Sequence, residues 1–421
     1  MRTLQELSIK KMVYGGYGLA EYSGKRVFVR YTAPKELISA EIIKEKRDHI
    51  EATVKEVLIS SPSRREPPCR YYYYCGGCQL QHINVDEQVK IKEEILLESL
   101  RRIGNLDVDT LNESIRSKQE FNYRIRAQFK VSNGNLGFFA WGTHELVKID
   151  ECLLLHPAIN NLIGSLQELT RRIRNIQELH VLYSPSEGEF LLKVITPNIY
   201  DKDKIRRLKE NVLPKEVVGV GNYSKLGDHL LKRYHIGRSF TYMQVGNYRY
   251  RVSADSFFQI NFTLWEDLIR SVVKGTYKKV LELHCGAGFF SIPISEIAHF
   301  LLSSDTNASA VKDAQYNAKL NGRDNVVFFN ESSYQTLKKY AGEIIDLLFL
   351  DPPRGGLTSD ELTLIIQNKP KEIIYVSCNP TTLARDLGFM ARGGYGIKSV
   401  RLIDNFPQTY HIESVAELYL K

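Results

Sequence analysis

From about residue 277 to the C-terminus, short apolar runs alternate with amphipathic segments. KKVLELHCG, FLLSSD, NVVFF, IIDLLFLD and EIIYVSC have the length and composition of strands; FFSIPISEIA, ASAVKDAQYNAKL, LTLIIQN and TTLARDLGFMAR have the apolar spacing of helices. Strands that are apolar on both faces belong in a parallel sheet covered by helices on each side. The alternation predicts an α/β fold, a Rossmann-like domain over residues 246–421, which binds ligands at the carboxyl edge of its sheet.

The 421 residues exceed one ordinary domain. Residues 1–60 read as short strands broken by turn signals at Gly15-Gly16, Ser23-Gly24 and Pro34-Lys35, which predicts a small five-stranded OB-like barrel. Tyr14, Tyr17, Arg26 and Arg30 would offer such a barrel stacking faces and cations for single-stranded nucleic acid. Pro62, Pro67 and Pro68 mark its exit, and residues 61–245 form a mixed α+β central region with a hairpin turn at Asn133-Gly134. An excess of 57 Lys+Arg over 49 Asp+Glu gives a net charge of +8 and favours a polyanionic partner. No apolar run approaches the roughly 18 residues of a membrane span, and no leader-like segment opens the chain. A cytoplasmic protein without a membrane partner is expected.

Six cysteines are too few for a disulfide scaffold, so their positions carry information. Cys69, Cys75 and Cys78 stand as C-x5-C-x2-C in CRYYYYCGGCQLQ, with Gly76 and Gly77 inside the tight pair, and Cys152 follows in DECLLLHP. Four thiolates suit zinc or an iron–sulfur centre. One stretched pair and a remote fourth ligand, instead of two C-x2-C knuckles, favour a 4Fe-4S cluster, and Tyr71 to Tyr74 read as packing around it.

In LELHCGAGFF a strand ends near His284, and Gly286 and Gly288 let backbone approach a ligand. Asp305, closing the next strand, is placed to bind ribose hydroxyls. FLDPPRGG ends a further strand with Asp351, and two prolines hold that carboxylate and Arg354 on a rigid loop. Cys378 ends the last of these strands ahead of Asn379-Pro380, where a helix N-terminus would favour its thiolate, the environment of a nucleophile. An acid or base for it is offered by His411 or Glu413 in QTYHIES, and spacing alone does not choose between them.

FFQIN, ELHCGAGFF, LDPPRGG, VSCNPTT and QTYHIESV occur in an order that resembles the RNA uracil-5-methyltransferases, and the cysteine motif is similar to their iron–sulfur subgroup. The first 60 residues resemble a TRAM domain. The resemblance implies a class I methyltransferase domain that uses S-adenosyl-L-methionine. It also implies covalent chemistry, with Cys378 adding to carbon 6 of uracil and Glu413 removing the carbon 5 proton. It assigns Gln259, Asp351, Asp305, His284 and Phe289 to cofactor or uracil contacts. Asp305 stands where glutamate is usual, His284 where a Tyr or Phe is frequent and Phe289 where a polar residue is frequent. Arg124, Arg126, Phe138, Phe139 and Trp141 become candidate RNA contacts. The expected substrate is 23S rRNA, with tRNA the alternative, and the protein is expected to act as a monomer. A nicotinamide-linked iron–sulfur oxidoreductase would leave Cys378, DPPR and Glu413 unused, and a non-catalytic RNA-binding protein would not need Cys378 and Glu413 intact.

Overall fold

The computed structural model describes residues 2–227 and 229–421. Thr3–Ser8, Lys11–Val13, Tyr17–Tyr22, Lys25–Arg30, Leu37–Glu45 and His49–Ile59 form a single sheet of six strands, one more than expected. The additional strand arises where the chain changes partner: Ile9 still donates its amide to Glu36 O (2.8 Å) beside Leu37–Glu45, whereas Lys10 donates to Leu19 O (2.9 Å) beside Tyr17–Tyr22. Alternate side chains of these strands, among them Leu4, Leu7, Val27, Val29, Ile38 and Ile50, form a core of their own.

A seven-stranded mixed sheet fills the middle of the chain, in the order Leu146–Lys148, Asn135–Phe139, Arg126–Ser132, Glu178–Ser184, Glu189–Ile195, Val217–Leu226 and His229–Gly237. The predicted hairpin turn is present: Asn133 (φ 50°) and Gly134 (φ 74°) both adopt the left-handed conformation that a two-residue hairpin requires. Two elements from within 61–245 pack elsewhere. The helix Val85–Arg102, capped by the Asn84 side chain, lies on the helix Pro380–Arg392, and Asn112–Ile115 adds an edge to the large sheet.

That large sheet has eight strands, ordered Val326–Phe329, Ala298–Ser304, Tyr277–Leu283, Leu347–Leu350, Glu372–Ser377, Glu413–Leu420, Tyr395–Ile403 and Asn112–Ile115. The first five are parallel; Glu413–Leu420 inserts antiparallel beside Glu372–Ser377. The expected helix over FFSIPISEIA shrinks to one turn, Ser291–Ile294, because Pro293 withholds an amide and the chain closes at Glu296 to enter the next strand. Ser333–Lys339 is a further helix, started by a Ser332/Gln335 capping box.

Candidate active site

The carboxyl ends of the parallel strands deliver His284, Asp305, Asp351 and Cys378 to one edge. The antiparallel strand brings its first residue to the same edge. Ser377 pairs with Ser414, so Glu413 stands opposite Cys378 one step along the ladder. Of the two candidates near the C-terminus, Glu413 is thus placed against the cysteine. His411 is instead packed between Phe406 and Tyr410, and burial together with nearby Arg354 and Arg124 pulls it down to about 3, so it stays neutral.

Cys378 is half-buried. The helix after it starts as expected, with Asn379 accepting from Thr381 N (3.1 Å). The thiolate is not favoured, however. Burial, then the neighbouring carboxyls Glu413 and Asp351, push Cys378 up to about 11 against the pull of Arg354, so the resting group is a thiol. Burial likewise raises Glu413 to about 7, opposed by Asn405, whose Nδ2 donates to it (3.5 Å), and by Arg354. Asp351 is pushed well above the carboxylate range by burial and by Glu413, Glu282 and Asp305. Cys378, Glu413 and Asp351 thus sit together with Arg354, and their proton affinities are coupled.

The loop carrying Asp351 and Arg354 is strapped to the helix behind Cys378. Asn379 Nδ2 donates to Arg354 O (3.0 Å), Arg385 Nη2 to Gly355 O (3.1 Å) and Leu357 O (2.8 Å), and Leu357 N to Asp386 (2.9 Å). These bonds tie the loop after Asp351 to the helix that follows Cys378.

At the other end of the edge, Gly286 and Gly288 have φ of 54° and 86°, and Gly286 N donates to Asp305 Oδ2 (2.9 Å). Asp305 Oδ1 accepts from Asn307 N (2.8 Å), which fixes the carboxylate over the turn. His284 also lies at positive φ (64°), and its buried Nε2 has no partner among the described residues. Phe289 packs edge-on against Phe258 (5.2 Å) and Phe290 (4.8 Å), and so belongs to the core. Gln259 is buried, its carbonyl accepting from Trp265 Nε1 (2.9 Å). The segment before it is held by Asp313, which accepts from Ser253 N (2.8 Å), Ser256 Oγ (2.6 Å) and Arg251 Nε (2.8 Å). Sequence reasoning passed over Asp313, Asn405 and Asp386. The available signal for Asp313 was a polar residue on the buried face of Ala308–Leu320, in step with Ala310, Ala314 and Asn317.

Cys69, Cys75, Cys78 and Cys152, all free, line one cavity of about 220 Å3. Gly76 has no room for a Cβ, which would sit 2.9 Å from Phe139 O and from the Trp141 backbone. Burial raises all four thiols, Cys75 to about 11. Among the described residues no three His, Cys, Asp or Glu converge closely enough for a single metal ion. Arg124 also lines the cavity, and its buried Nε lacks a partner there. Arg126 and Glu151 complete the charged part of the lining. Of the candidate RNA contacts, Trp141 is enclosed by Tyr17, Tyr31 and Arg30, and Phe138 stacks on Phe129, so both serve packing.

Five parallel strands with an antiparallel strand inserted beside the fifth, and acidic and thiol groups gathered at the carboxyl edge, define an α/β protein with its ligand site at that edge. The comparisons agree. The model of the tRNA (uracil-5-)-methyltransferase family matches residues 84–421. An uncharacterized RNA methyltransferase of Aquifex aeolicus (strain VF5) is 52% identical over 418 residues, covering 99% of this chain and 98% of that protein. The 23S rRNA (uracil(1939)-C(5))-methyltransferase RlmD of Shewanella sediminis is 30% identical over 429 residues, 97% of this chain and 94% of that one. The crystal structure of the Pyrococcus abyssi tRNA (uracil-54, C5)-methyltransferase with S-adenosyl-L-homocysteine shares the fold, with a TM-score of 0.75 and 24% identity over 98% of this chain and 99% of that chain.

The chain therefore belongs to the tRNA (uracil-5-)-methyltransferase family, enzymes that methylate carbon 5 of uracil in RNA with S-adenosylmethionine.

Proposed function

We propose that the protein methylates one uridine of 23S rRNA through a covalent adduct between Cys378 and carbon 6 of the base. The observation that carries the mechanism is the register that sets Glu413 opposite Cys378 at the strand ends. Carbon 5 of uracil is a weak nucleophile toward a methyl sulfonium. Addition of the Cys378 sulfur to carbon 6, with the thiol proton lost to solvent, turns carbon 5 into an enolate carbon that takes the methyl group from the sulfonium and leaves S-adenosylhomocysteine. Glu413 then accepts the carbon 5 proton, and the electron pair released expels the sulfur. A carboxylate raised to about 7 is a stronger base than an exposed one, which suits this role. Arg354 eases the ionisation of both groups. In this reading Asp305 binds the cofactor ribose, Gln259 and Asp351 meet cofactor or uracil edge, and His284 borders the cofactor. Phe289 acts behind them as packing.

The cavity cysteines would hold a 4Fe-4S cluster, which supplies structure here because no electron moves in the reaction. The six-stranded sheet serves as a TRAM-type RNA module, residues 61–245 as the cluster-bearing middle and 246–421 as the transferase. The ribosomal substrate is favoured over tRNA by the level of identity to the 23S rRNA enzyme over nearly its whole length. RNA substituted with 5-fluorouridine tests the mechanism, since fluorine at carbon 5 blocks proton removal. A denaturation-stable protein–RNA adduct is expected from the native protein with cofactor and none from Cys378→Ala. Absence of adduct from the native protein overturns the mechanism, and unchanged 5-methyluridine in 23S rRNA of a deletion strain overturns the substrate.

A further inference from the structure

The outer face of the seven-stranded sheet carries an unbalanced charge cluster. The register aligns Lys130 with Glu178 and places Gln128, His180 and Lys193 side by side, with Lys225 and Lys232 on the strands beyond. Among the described residues, five cations share two carboxylates. Glu178 takes Lys130 and Lys225, and Asp255 takes Lys193 (2.8 Å) and Lys232 (3.4 Å). The fifth, Arg126, is half-buried and bonds only carbonyl oxygens, its Nη2 donating to Ser256 O (2.9 Å).

A freely solvated charged face would keep these groups in water. Here the Lys193 side chain is only 15% exposed, and burial lowers the proton affinities of both Lys193 and Arg126. Withdrawing Lys193 and Arg126 from water with Asp255 as the one carboxylate beside them is costly unless an anion completes the set. A cavity of about 220 Å3 opens beside them, walled by Arg126, His180, Lys193, Asp255, Phe257 and Asn307. Phe257, although aromatic, is 56% exposed. It lies two residues, at most about 7 Å of backbone, from Gln259, and Asn307 lies as close to Asp305. The cavity is therefore adjacent to the transferase edge.

We propose that this cavity is a subsite for a nucleotide next to the target uridine in single-stranded RNA, its phosphate held by Lys193 and Arg126 and its base stacked on Phe257. The subsite rests on the reading of the chain as an RNA methyltransferase. It would hold the strand beside the flipped base, where unstacked nucleotides can meet an aromatic face.

The test is equilibrium binding of a fluorescein-labelled single-stranded oligouridylate, read by anisotropy over a range of KCl concentrations without cofactor. Lys193→Ala and Phe257→Ala should each weaken binding roughly tenfold. Lys193→Ala should also flatten the dependence of log affinity on log salt by about 0.7, the contribution of one phosphate on a single strand, whereas Phe257→Ala should leave that slope intact. Lys193→Arg should restore affinity and slope. Phe257→Ala removes an exposed side chain, so its melting temperature should stay at the native value. Native affinity in both alanine variants, or a loss no greater than that of the remote surface variant Lys398→Ala, overturns the subsite. Failure of the native protein to methylate any RNA is a separate measurement and overturns the function instead.

Discussion

At the scale of single residues, the site is governed by where protons rest. Glu413 is 5% exposed and its ionisation is held back to about 7, so it is ionised above that pH and protonated below it. A base must be ionised to accept a proton. The rate at which the methylated adduct breaks down to release product should fall tenfold per pH unit below about 7 and level off above, as measured by decay of the methylated covalent complex in a single turnover. Glu413→Gln removes the base while keeping the shape, so turnover should drop by about 10²- to 10⁴-fold. Because elimination is the step lost, that variant should accumulate a methylated covalent complex with ordinary RNA, visible as a shifted band on a denaturing gel. A variant that loses activity without trapping RNA would assign proton removal to another group.

At the scale of elements, two internal carboxyls can be read separately. Glu282, on the strand Tyr277–Leu283, is 1% exposed and raised to about 7 by burial, against hydrogen bonding from Ser303 Oγ (2.6 Å). Its folded pKa lies above the unfolded value, so the stability it contributes is fully present below the unfolded pKa and is lost as pH rises through about 7. At pH 8 the native protein carries a cost of about 3 kcal/mol that Glu282→Gln avoids. The variant should melt higher than native at pH 8 and match it near pH 4.5, by calorimetry. Asp386 acts through its hydrogen bonds. It accepts from Leu357 N and Tyr375 Oη (2.7 Å) in the core, so Asp386→Ala strands two buried donors and should cost about 3 kcal/mol in urea unfolding. The elements themselves were largely legible. Apolar alternation marked the parallel strands, and Asn133-Gly134, Asn379-Pro380 and the strand-end acids fell where the turns and helix starts occur. Three things were not legible: the insertion of Glu413–Leu420 between two earlier strands, the packing of Val85–Arg102 on the last helix, and the protonated state of Cys378. Each depends on residues brought together from distant parts of the chain, which no local pattern records.

At the scale of the whole molecule, the loop 404–411 ahead of Glu413 is gripped by almost every layer. Lys92 donates to Asp404 (2.6 Å) in an ion pair whose side chains are 1% and 2% exposed, and also to Phe406 O (2.9 Å). Tyr123 Oη donates to Pro407 O (3.0 Å), Asn261 Nδ2 to Asn405 O (3.1 Å), and Tyr14 of the N-terminal sheet stacks edge-on against Tyr410 (5.4 Å). Most telling is the cysteine loop. Gln79 N and Leu80 N, the two amides after Cys78, both donate to Gln408 O (3.0 Å). A cluster that fixes Cys69, Cys75, Cys78 and Cys152 would thereby fix the carbonyl that steadies the strand entrance at Glu413. On the proposed reading, removing such a cluster would return four neutral thiols to the cavity that Arg124 also lines, and would loosen those two bonds first. Native protein should therefore bind about four irons per chain when purified anaerobically. Stripping the iron should raise amide hydrogen exchange in residues 404–411 well before the strand Glu372–Ser377 opens, because local opening precedes global unfolding where the lost contacts are local. Exchange that rises equally in both segments would mean the cysteine loop supports the fold as a whole and not the catalytic loop in particular.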